Sequence, residues 1–326
     1  MIISVSGGRP TNAHRPPTRA FGPIIAKPVL KVQPASSPIS VIVPSLNVAD
    51  LAIDGIHHLR SRRIGSYEFD TMVIKEWDGR KPVVFCGPWV GEFGWELMHW
   101  RPKALKVLMD HPYHHRIIVA DLGHQPLYQG AYEEYWSIRN LPGGGRKSCH
   151  KNKGWEGGVM RALLKALKPQ IHLSAYFGFE PTVSVPVSST ATGRALLQKI
   201  TPSFVIFPRA KAGNRNWPRQ AWNELIKELT KLGQVINSGR REDSLFDLHN
   251  VLHTESLAGG PRFEMDVTLA ALERARAAIC TDSGGMHIAL HTKVKTIVIG
   301  RLTRFPRCRQ PEANVDSVEG VLKACF

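Results

Sequence analysis

A short turn in this sequence has the residue types and spacing of a ligand-binding site. It lies between an apolar stretch at 277–280 and an amphipathic stretch that runs to 290. Small side chains allow a ligand to approach the backbone closely, and the N–H groups at the start of the following helix point at whatever binds there. The pattern therefore predicts an anion site, with phosphate as its natural ligand. The alternative is a helix that is only capped by its first polar residues. The turn comprises Thr281, Asp282, Ser283, Gly284, Gly285, Met286 and His287.

A basic loop follows an earlier apolar stretch in the same half of the chain. Arg209, Lys211 and Arg215 come directly after the strand predicted at 204–207. Three nearby cations repel one another unless an anion lies between them, and arginine can hold phosphate oxygens through two hydrogen bonds. The loop is therefore a second candidate phosphate site, and a solvated basic loop is the alternative.

A third loop follows the strand predicted at 234–237 and contains Ser238, Gly239 and two candidate acids, Glu242 and Asp243. An acidic residue in this place can accept hydrogen bonds from a ribose, as in dinucleotide sites. The alternative is an acid that only stabilises the positive end of a helix.

Regular alternation of strands and helices must position these three loops. A helix is predicted at 219–232 between the strands at 204–207 and 234–237, and a further strand is predicted at 296–300. Alternation of this kind indicates a doubly wound parallel sheet, in which ligands bind at the carboxyl ends of the strands.

The N-terminal half offers carboxylates and aromatic rings on one loop. A strand predicted at 83–86, paired in a hairpin with 69–76, leads to Glu92, Glu96, Trp89 and Trp95. Either acid could stabilise the start of the helix that begins here. The two tryptophans are candidates for stacking on a sugar or a nucleobase.

The composition favours a globular protein with an anionic partner. The chain has 326 residues and a net charge of +16, and residues 1–38 are rich in Pro, Ser, Gly and Arg. We expect an extended or disordered basic leader there, which is either a nucleic-acid-binding arm or a solubilising tail. The five scattered cysteines form no CxxC pair, and no stretch is apolar for the length of a bilayer span. These features predict reduced thiols, no metal site and a cytoplasmic protein.

The order of motifs in residues 203–300 resembles that of heptosyltransferase-like glycosyltransferases. The shared features are a strand, a basic loop ending in Trp217-Pro218, a helix, a strand and then the Asp282–His287 turn. The resemblance implies a GT-B fold, that is, two Rossmann-like α/β domains facing a central cleft. It also implies that the turn and Lys211 or Arg215 hold the diphosphate of a nucleotide sugar, which acts as co-substrate without a further cofactor. Glu92 occupies the place of the family's aspartate general base, so the resemblance implies that Glu92 accepts the proton of the acceptor hydroxyl, and Glu96 is the alternative for this role.

These inferences lead to a specific prediction of domains and function. We expect a leader at 1–38, an acceptor-side domain at 39–190, a nucleotide-sugar domain at 191–305 and a C-terminal tail at 306–326. The predicted activity is inverting, metal-independent transfer of a sugar to a hydroxyl group. Its acceptor is a saccharide or, given the charge, a nucleic acid such as a modified base in DNA. The predicted acceptor-binding residues are Trp89, Trp95, Glu96, Arg301 and Arg304.

Two other functions remain alternatives at this point. One is a nucleic-acid-binding protein that retains a degenerate transferase fold. The other is a sugar-nucleotide epimerase, which shares the two-domain architecture and would convert its substrate without any acceptor.

Overall fold

Two separate sheets form the framework of the computed structural model. The model describes residues 59–139, 153–174, 185–209, 213–239, 251–260, 262–300, 311 and 313–326. All of these residues belong to one unit, Asn47–Phe326. The predicted leader at 1–38 lies outside the described residues.

The N-terminal sheet is mixed. Its strands are β1 (Leu59–Ile64), β2 (Tyr67–Val73), β3 (Val83–Cys86), β4 (His115–Val119), β5 (Glu134–Ile138) and β6 (Ile171–Leu173). They lie in the order β1-β2-β5-β4-β3-β6, with antiparallel pairing at β1-β2-β5 and parallel pairing from β5 to β6. The hairpin predicted between β2 and β3 is therefore wrong. All four residues of β3 are buried and apolar, as expected for a strand inside a parallel region.

The C-terminal sheet is parallel throughout. Its strands are β7 (Pro202–Phe207), β8 (Gln234–Asn237), β9 (Leu252–His253), β10 (Ala277–Thr281), β11 (Lys295–Ile299) and β12 (Ala313–Val315). Their order is β12-β11-β10-β7-β8-β9, which places β7 and β10 side by side. The predicted α/β class is confirmed, since each sheet is dominated by parallel pairs with helical connections.

Helices connect most of these strands. They are α1 (Phe93–Trp95), α2 (Arg101–Asp110), α3 (Lys153–Leu167), α4 (Ala191–Leu196), α5 (Arg219–Leu232), α6 (Thr254–Leu257), α7 (Glu264–Arg274), α8 (Gly284–Leu290) and α9 (Val318–Cys325). A π-helical turn, Glu96–Trp100, joins α1 to α2, and 3-10 turns occupy Leu122–Tyr128 and Gly213–Arg215. None of the described helices is long and apolar enough to cross a bilayer.

Helix α5 shows how the sequence specifies an element beside the site. Its buried residues Trp222, Leu225, Ile226 and Leu229 recur at helical spacing, so one face packs against the C-terminal sheet. Gly233 ends the helix at φ 152°, a conformation that favours glycine. The helix therefore begins and ends where the sequence predicts.

Continuous packing connects the two sheets. One cluster of buried apolar side chains includes residues of both, for example Trp100 and Tyr128 on one side and Phe207 and Met286 on the other. Arg101 on α2 is 4% exposed, and its guanidinium donates hydrogen bonds to the carbonyl oxygens of Leu127 (2.8 Å), Val185 (2.7 Å) and Pro186 (3.0 Å). The segment that leads into α4 is thus held against the N-terminal half.

Candidate active site

The basic loop and the glycine turn meet at the carboxyl edge of the C-terminal sheet. They follow the neighbouring strands β7 and β10. Arg215 Nη1 donates a hydrogen bond to the backbone oxygen of Asp282 at 3.4 Å, and its Nε lies 3.8 Å from Asp282 Oδ2. The guanidinium is partly exposed, whereas the Asp282 carboxylate is nearly buried. The structure therefore brings a cation of the basic loop to the start of α8.

Ser283 precedes α8 without capping it through its side chain. It adopts an extended conformation at the N-cap position, and its hydroxyl makes no capping hydrogen bond. Ser283 Oγ is enclosed and has no hydrogen-bond partner among the described residues. A buried polar atom is normally satisfied, so an unsatisfied hydroxyl at a helix start is consistent with a ligand site. Capping by Ser283, one of the alternatives to an anion site, is not what the structure shows.

Two other residues of the turn face the interior. Thr281 is fully buried, and its hydroxyl donates to the Phe207 carbonyl oxygen across the sheet at 3.3 Å. The Met286 side chain is also fully buried in the apolar cluster. The prediction that Thr281 and Met286 bind the ligand is therefore wrong for their side chains. The Thr281 hydroxyl bonds to the neighbouring strand, and the Met286 side chain packs in the core. The backbone amide of Met286 stays a candidate ligand group.

Close contacts join the turn to the loop that carries Glu92. A Cβ atom built on Gly284 would lie 3.0 Å from Phe93 Cδ1, and one built on Gly94 would lie 2.8 Å from His287 Cδ2. Phe93 therefore covers Gly284, and the His287 ring rests against Gly94. The loops of the two sheets touch at the point where the sequence predicts donor and acceptor residues.

His287 is uncharged at neutral pH in this environment. Burial, and to a lesser extent His291, lower its pKa to about 4, although Asp282 acts in the opposite direction. Burial also lowers the pKa of His291, whose Nδ1–H donates to the His287 carbonyl oxygen at 2.7 Å. Protonation of either ring is therefore disfavoured while the protein is folded.

This environment predicts a pH-dependent loss of stability. Between about pH 6.5 and pH 4 the unfolded chain binds a proton on His287 that the folded protein resists, so the unfolding free energy falls as pH decreases. We expect His287 to contribute about 2 kcal/mol to this fall. Denaturant titrations across this range should show a shallower pH slope for His287→Gln and an unchanged slope for the exposed control His172→Gln. An unaltered slope in His287→Gln would contradict the prediction.

The residues predicted to bind the acceptor on the loop after β3 differ in their exposure. Glu92 and Trp95 are partly exposed, and Trp95 stacks on His99 with ring centroids 4.8 Å apart. Glu92 is the N-cap residue of α1, but its side chain makes no capping hydrogen bond. Trp89 is 4% exposed and stacks on Trp100 with ring centroids 5.5 Å apart, so its ring is largely packed in the core, and it also borders a small cavity beside this loop.

Glu96 is fully buried, contrary to the prediction that it contacts an acceptor. Its Oε2 lies 2.5 Å from His124 Nδ1, and its Oε1 accepts a hydrogen bond from the Tyr128 hydroxyl at 2.7 Å. The π-helical turn that begins at Glu96 directs this carboxylate into the N-terminal half. Turns of this type occur frequently at functional sites.

A small cavity of about 30 Å³, about the volume of one water molecule, lies beside this loop. Gly91, Asp121 and His124 line it, together with residues at the ends of β4 and β5. Asp121 and His124 are not among the site residues predicted from the sequence. The sequence did carry a signal for this position, because Asp121 lies two residues after the end of β4 and is therefore at the carboxyl edge of a parallel strand.

The first residues of the loop after β8 form hydrogen bonds with buried hydroxyl groups. Ser238 is 3% exposed and its Oγ lies 2.7 Å from Thr268 Oγ1, while the Gly239 amide donates to Thr254 Oγ1 at 3.4 Å. Both threonine hydroxyls donate to Glu264 Oε1, at 2.9 and 2.8 Å. The Ser238 side chain thus serves the interior, which corrects its predicted role as a direct ligand contact.

Several predicted site residues lie outside the described residues, namely Lys211, Glu242, Asp243, Arg301 and Arg304. Arg209 is described and exposed. Among the described residues, no group of three or more His, Cys, Asp or Glu side chains is placed to hold a metal ion.

Two facing α/β sheets, with a glycine turn of one against a carboxylate-bearing loop of the other, define the GT-B class of glycosyltransferase fold. The model of glycosyltransferase family 9 (heptosyltransferase) matches residues 170–316, which include both the basic loop and the glycine turn. The resemblance predicted from the sequence is confirmed by this match. No curated protein gives a significant match to the chain.

The solved structures that are similar to this chain are distant in sequence. E. coli ADP-heptose lps heptosyltransferase II is 13% identical, with a TM-score of 0.50 over 74% of this chain and 97% of that protein. The family 9 glycosyl transferase from Veillonella parvula is 14% identical, with a TM-score of 0.48 over 75% and 88% of the two chains. E. coli heptosyltransferase WaaC with ADP is 12% identical, with a TM-score of 0.43 over 74% and 98%.

Proposed function

We propose that the protein is an inverting glycosyltransferase that moves a sugar from a nucleotide-diphosphate sugar to a hydroxyl group, without a metal ion. The observation that carries this proposal is the contact of Arg215 with Asp282 at the start of α8, inside the segment that matches family 9. A cation and free helix N–H groups at one point suit a diphosphate. The names of the similar structures make ADP-heptose the first donor to test.

In the proposed reaction, Glu92 accepts the proton of the acceptor hydroxyl. The acceptor oxygen forms a bond to the anomeric carbon, while the bond from that carbon to the diphosphate oxygen breaks. The nucleoside diphosphate leaves with the bonding electron pair, and the Ser283–Met286 amides and Arg215 stabilise its negative charge. A single displacement of this kind inverts the anomeric configuration.

We propose a saccharide rather than a nucleic acid as the acceptor. Several arginines of the N-terminal sheet are paired with acids, which reduces their attraction for phosphates. Arg60 pairs with Glu76, Arg62 lies 3.4 Å from Glu134, and Arg139 lies 2.6 Å from Asp70. Binding to a duplex would weaken steeply with salt concentration, whereas binding of a neutral saccharide would not.

The donor site is tested with a panel of nucleotide sugars and calorimetry. We expect Arg215→Ala to weaken binding of the preferred nucleotide sugar about 10- to 100-fold, because it removes a charged hydrogen-bond donor from the diphosphate. Lys227→Ala, which removes a charge from the exposed face of α5, should leave the affinity unchanged. Equal affinities in wild type and Arg215→Ala would argue against this site.

Product analysis separates transfer from the alternatives. Chelator-treated enzyme should form a glycoside of inverted configuration when donor and acceptor are both present. Conversion of the nucleotide sugar without acceptor would indicate an epimerase. Tight DNA binding without affinity for any nucleotide sugar would indicate a nucleic-acid-binding protein.

A further inference from the structure

Four large apolar side chains are exposed on one edge of the N-terminal sheet. They are Ile74 (49% exposed), Trp77 (38%), Met109 (67%) and Tyr113 (85%). In the described part of the chain only two other large apolar side chains are exposed, Leu232 and Phe326, and both belong to the C-terminal half. Single exposed residues of this kind are normal, whereas several on one edge form a patch of the type that marks an interaction surface.

The patch lies where the parallel strands of this sheet begin. Strands β4, β3 and β6 run side by side, so the segments that precede them meet at one edge. These segments are 74–82 before β3, 106–114 before β4 and 165–170 before β6, and together they form the amino edge. The loop that carries Glu92 follows β3 and lies at the opposite edge of the sheet.

Side-chain contacts join the three segments of the amino edge. The Trp77 ring stacks on that of His115, the first residue of β4, with ring centroids 6.4 Å apart. Trp77 Nε1 also donates to the Lys81 carbonyl oxygen at 2.8 Å, which closes the first segment on itself. His114 Nε2 lies 2.9 Å from Gln170 Oε1 and joins the second segment to the third. The exposed side chains therefore lie on one connected surface.

The amino edge carries an excess of positive charge. Two of its acids are paired, because Glu76 contacts Arg60 of β1 and Asp110 lies 2.7 Å from Lys106. The other exposed charged side chains of the three segments are one acid, Asp78, and five cations, Lys75, Arg80, Lys81, Lys165 and Lys168. An excess of this kind attracts a polyanionic partner.

An anionic lipid surface fits this combination better than other partners do. Tyrosine and tryptophan are enriched at the membrane–water interface, and lysine and arginine near it are attracted by anionic lipids. A nucleic acid would contact the cations and the aromatic rings, but only a lipid surface also takes up Ile74 and Met109. A second copy of the chain would present the same positive edge and would be repelled.

We propose that the amino edge docks the protein on an anionic membrane surface. Met109 and Tyr113 enter the lipid headgroup region, and the cations of the edge contact the lipid phosphates. Strands β3 and β4 are four and five residues long, so the proposed active site lies about 15 Å from the docked surface and faces away from it. Docking of this kind goes beyond the proposed function and does not depend on it.

Vesicle co-sedimentation of the full-length protein measures the docking. One probe is vesicles of phosphatidylcholine alone, and the other is vesicles of equal parts phosphatidylcholine and phosphatidylglycerol. We expect binding to the anionic vesicles only. This binding should weaken as the salt concentration rises, because salt screens the attraction between exposed charges.

Apolar substitutions test the exposed side chains. The double variant Met109→Ser, Tyr113→Ser should weaken binding to the anionic vesicles about tenfold, since binding strength scales with the apolar area that the lipid buries. The matched control is Leu232→Ser, Phe326→Ser, which removes two exposed apolar side chains from the C-terminal half and should bind as wild type does.

Charge substitutions test the electrostatic part of the contact. Removal of three cations from the first segment should weaken binding about 100-fold, and removal of three exposed cations elsewhere should weaken it less than about threefold. The first variant is Lys75→Gln, Arg80→Gln, Lys81→Gln. The control, with the same change in net charge, is Lys199→Gln, Lys227→Gln, Lys323→Gln.

Fluorescence quenching locates the contact on the protein. Brominated phosphatidylcholine in the anionic vesicles quenches tryptophans that touch the lipid, so wild type should lose part of its emission on binding. Trp77→Phe keeps an aromatic ring on His115 and should abolish most of this quenching. Trp217→Phe, a change at a partly exposed tryptophan of the C-terminal half, should leave the quenching as in wild type.

Four results would overturn the proposal. They are absence of binding to the anionic vesicles, wild-type binding by both amino-edge variants, tighter binding of a DNA duplex than of the vesicles, and a dimer in ultracentrifugation that Met109→Ser, Tyr113→Ser abolishes. Circular dichroism checks that each variant is folded, and if one amino-edge variant is not, the other and the quenching decide. Because the assays contain neither nucleotide nor acceptor, failure of the docking leaves the proposed function standing.

Discussion

Glu92→Gln is expected to lower the rate of sugar transfer by a factor of about 10² to 10⁴ while leaving nucleotide affinity unchanged. The amide has nearly the same shape as the carboxylate but cannot take the proton of the acceptor hydroxyl. Glu92 is partly exposed on the loop that contacts the glycine turn through Phe93 and Gly94, which places it next to the proposed donor site. Single-turnover measurements with saturating donor isolate the chemical step.

Two further variants test whether the loss of rate is due to the loss of a base at residue 92. Glu92→Asp keeps a carboxylate and should retain a measurable part of the rate. Glu319→Gln makes the same chemical change at an exposed position of α9 and should behave as wild type. A wild-type rate in Glu92→Gln would exclude Glu92 as the base, whatever the donor affinity.

The C-terminal half could be predicted from the sequence because its signals are local. The bounds of α5 follow from the spacing of Trp222, Leu225, Ile226 and Leu229 and from the glycine that ends the helix. The turn at residues 281–287 is likewise recognisable within a few residues. Strand order then places the turn beside the basic loop, since β10 pairs with β7.

The N-terminal half was less predictable because its arrangement depends on distant residues. The hairpin prediction failed because β2 pairs with β1 and β5, and neighbouring strands in the sequence need not be neighbours in the sheet. Glu92 and Glu96 look alike in sequence. Only the contacts of Glu96 with His124 and Tyr128, far along the chain, show that one acid is buried and the other accessible.

Gly285→Ala is expected to lower the unfolding free energy by about 3 kcal/mol and to weaken nucleotide binding at least tenfold. A Cβ atom at this position would lie 2.3 Å from Cδ1 and 2.4 Å from Cγ of Phe207. Phe207 ends β7 and is 7% exposed within the core, so its ring has little room to move. The start of α8 must then shift, and its N–H groups shift away from the diphosphate.

Gly284, the neighbour of Gly285, provides a comparison with a smaller expected loss of stability. A Cβ atom at Gly284 would lie 3.0 Å from Phe93 Cδ1, a contact that a small ring movement relieves, so Gly284→Ala should cost less than about 1 kcal/mol in stability. Calorimetry with ADP at a temperature where every variant is folded separates affinity from stability.

A double-mutant cycle identifies the clash as the cause. Phe207→Leu alone should cost about 1 kcal/mol by leaving space in the core, but in combination with Gly285→Ala it should restore part of the lost stability and nucleotide affinity. The two residues are in contact, so their effects should not add. Two results would contradict this explanation. One is that the losses of stability in the two single variants add in the double variant, and the other is full nucleotide affinity in Gly285→Ala alone. Either would mean that the packing of α8 on β7 does not position the proposed anion-binding turn.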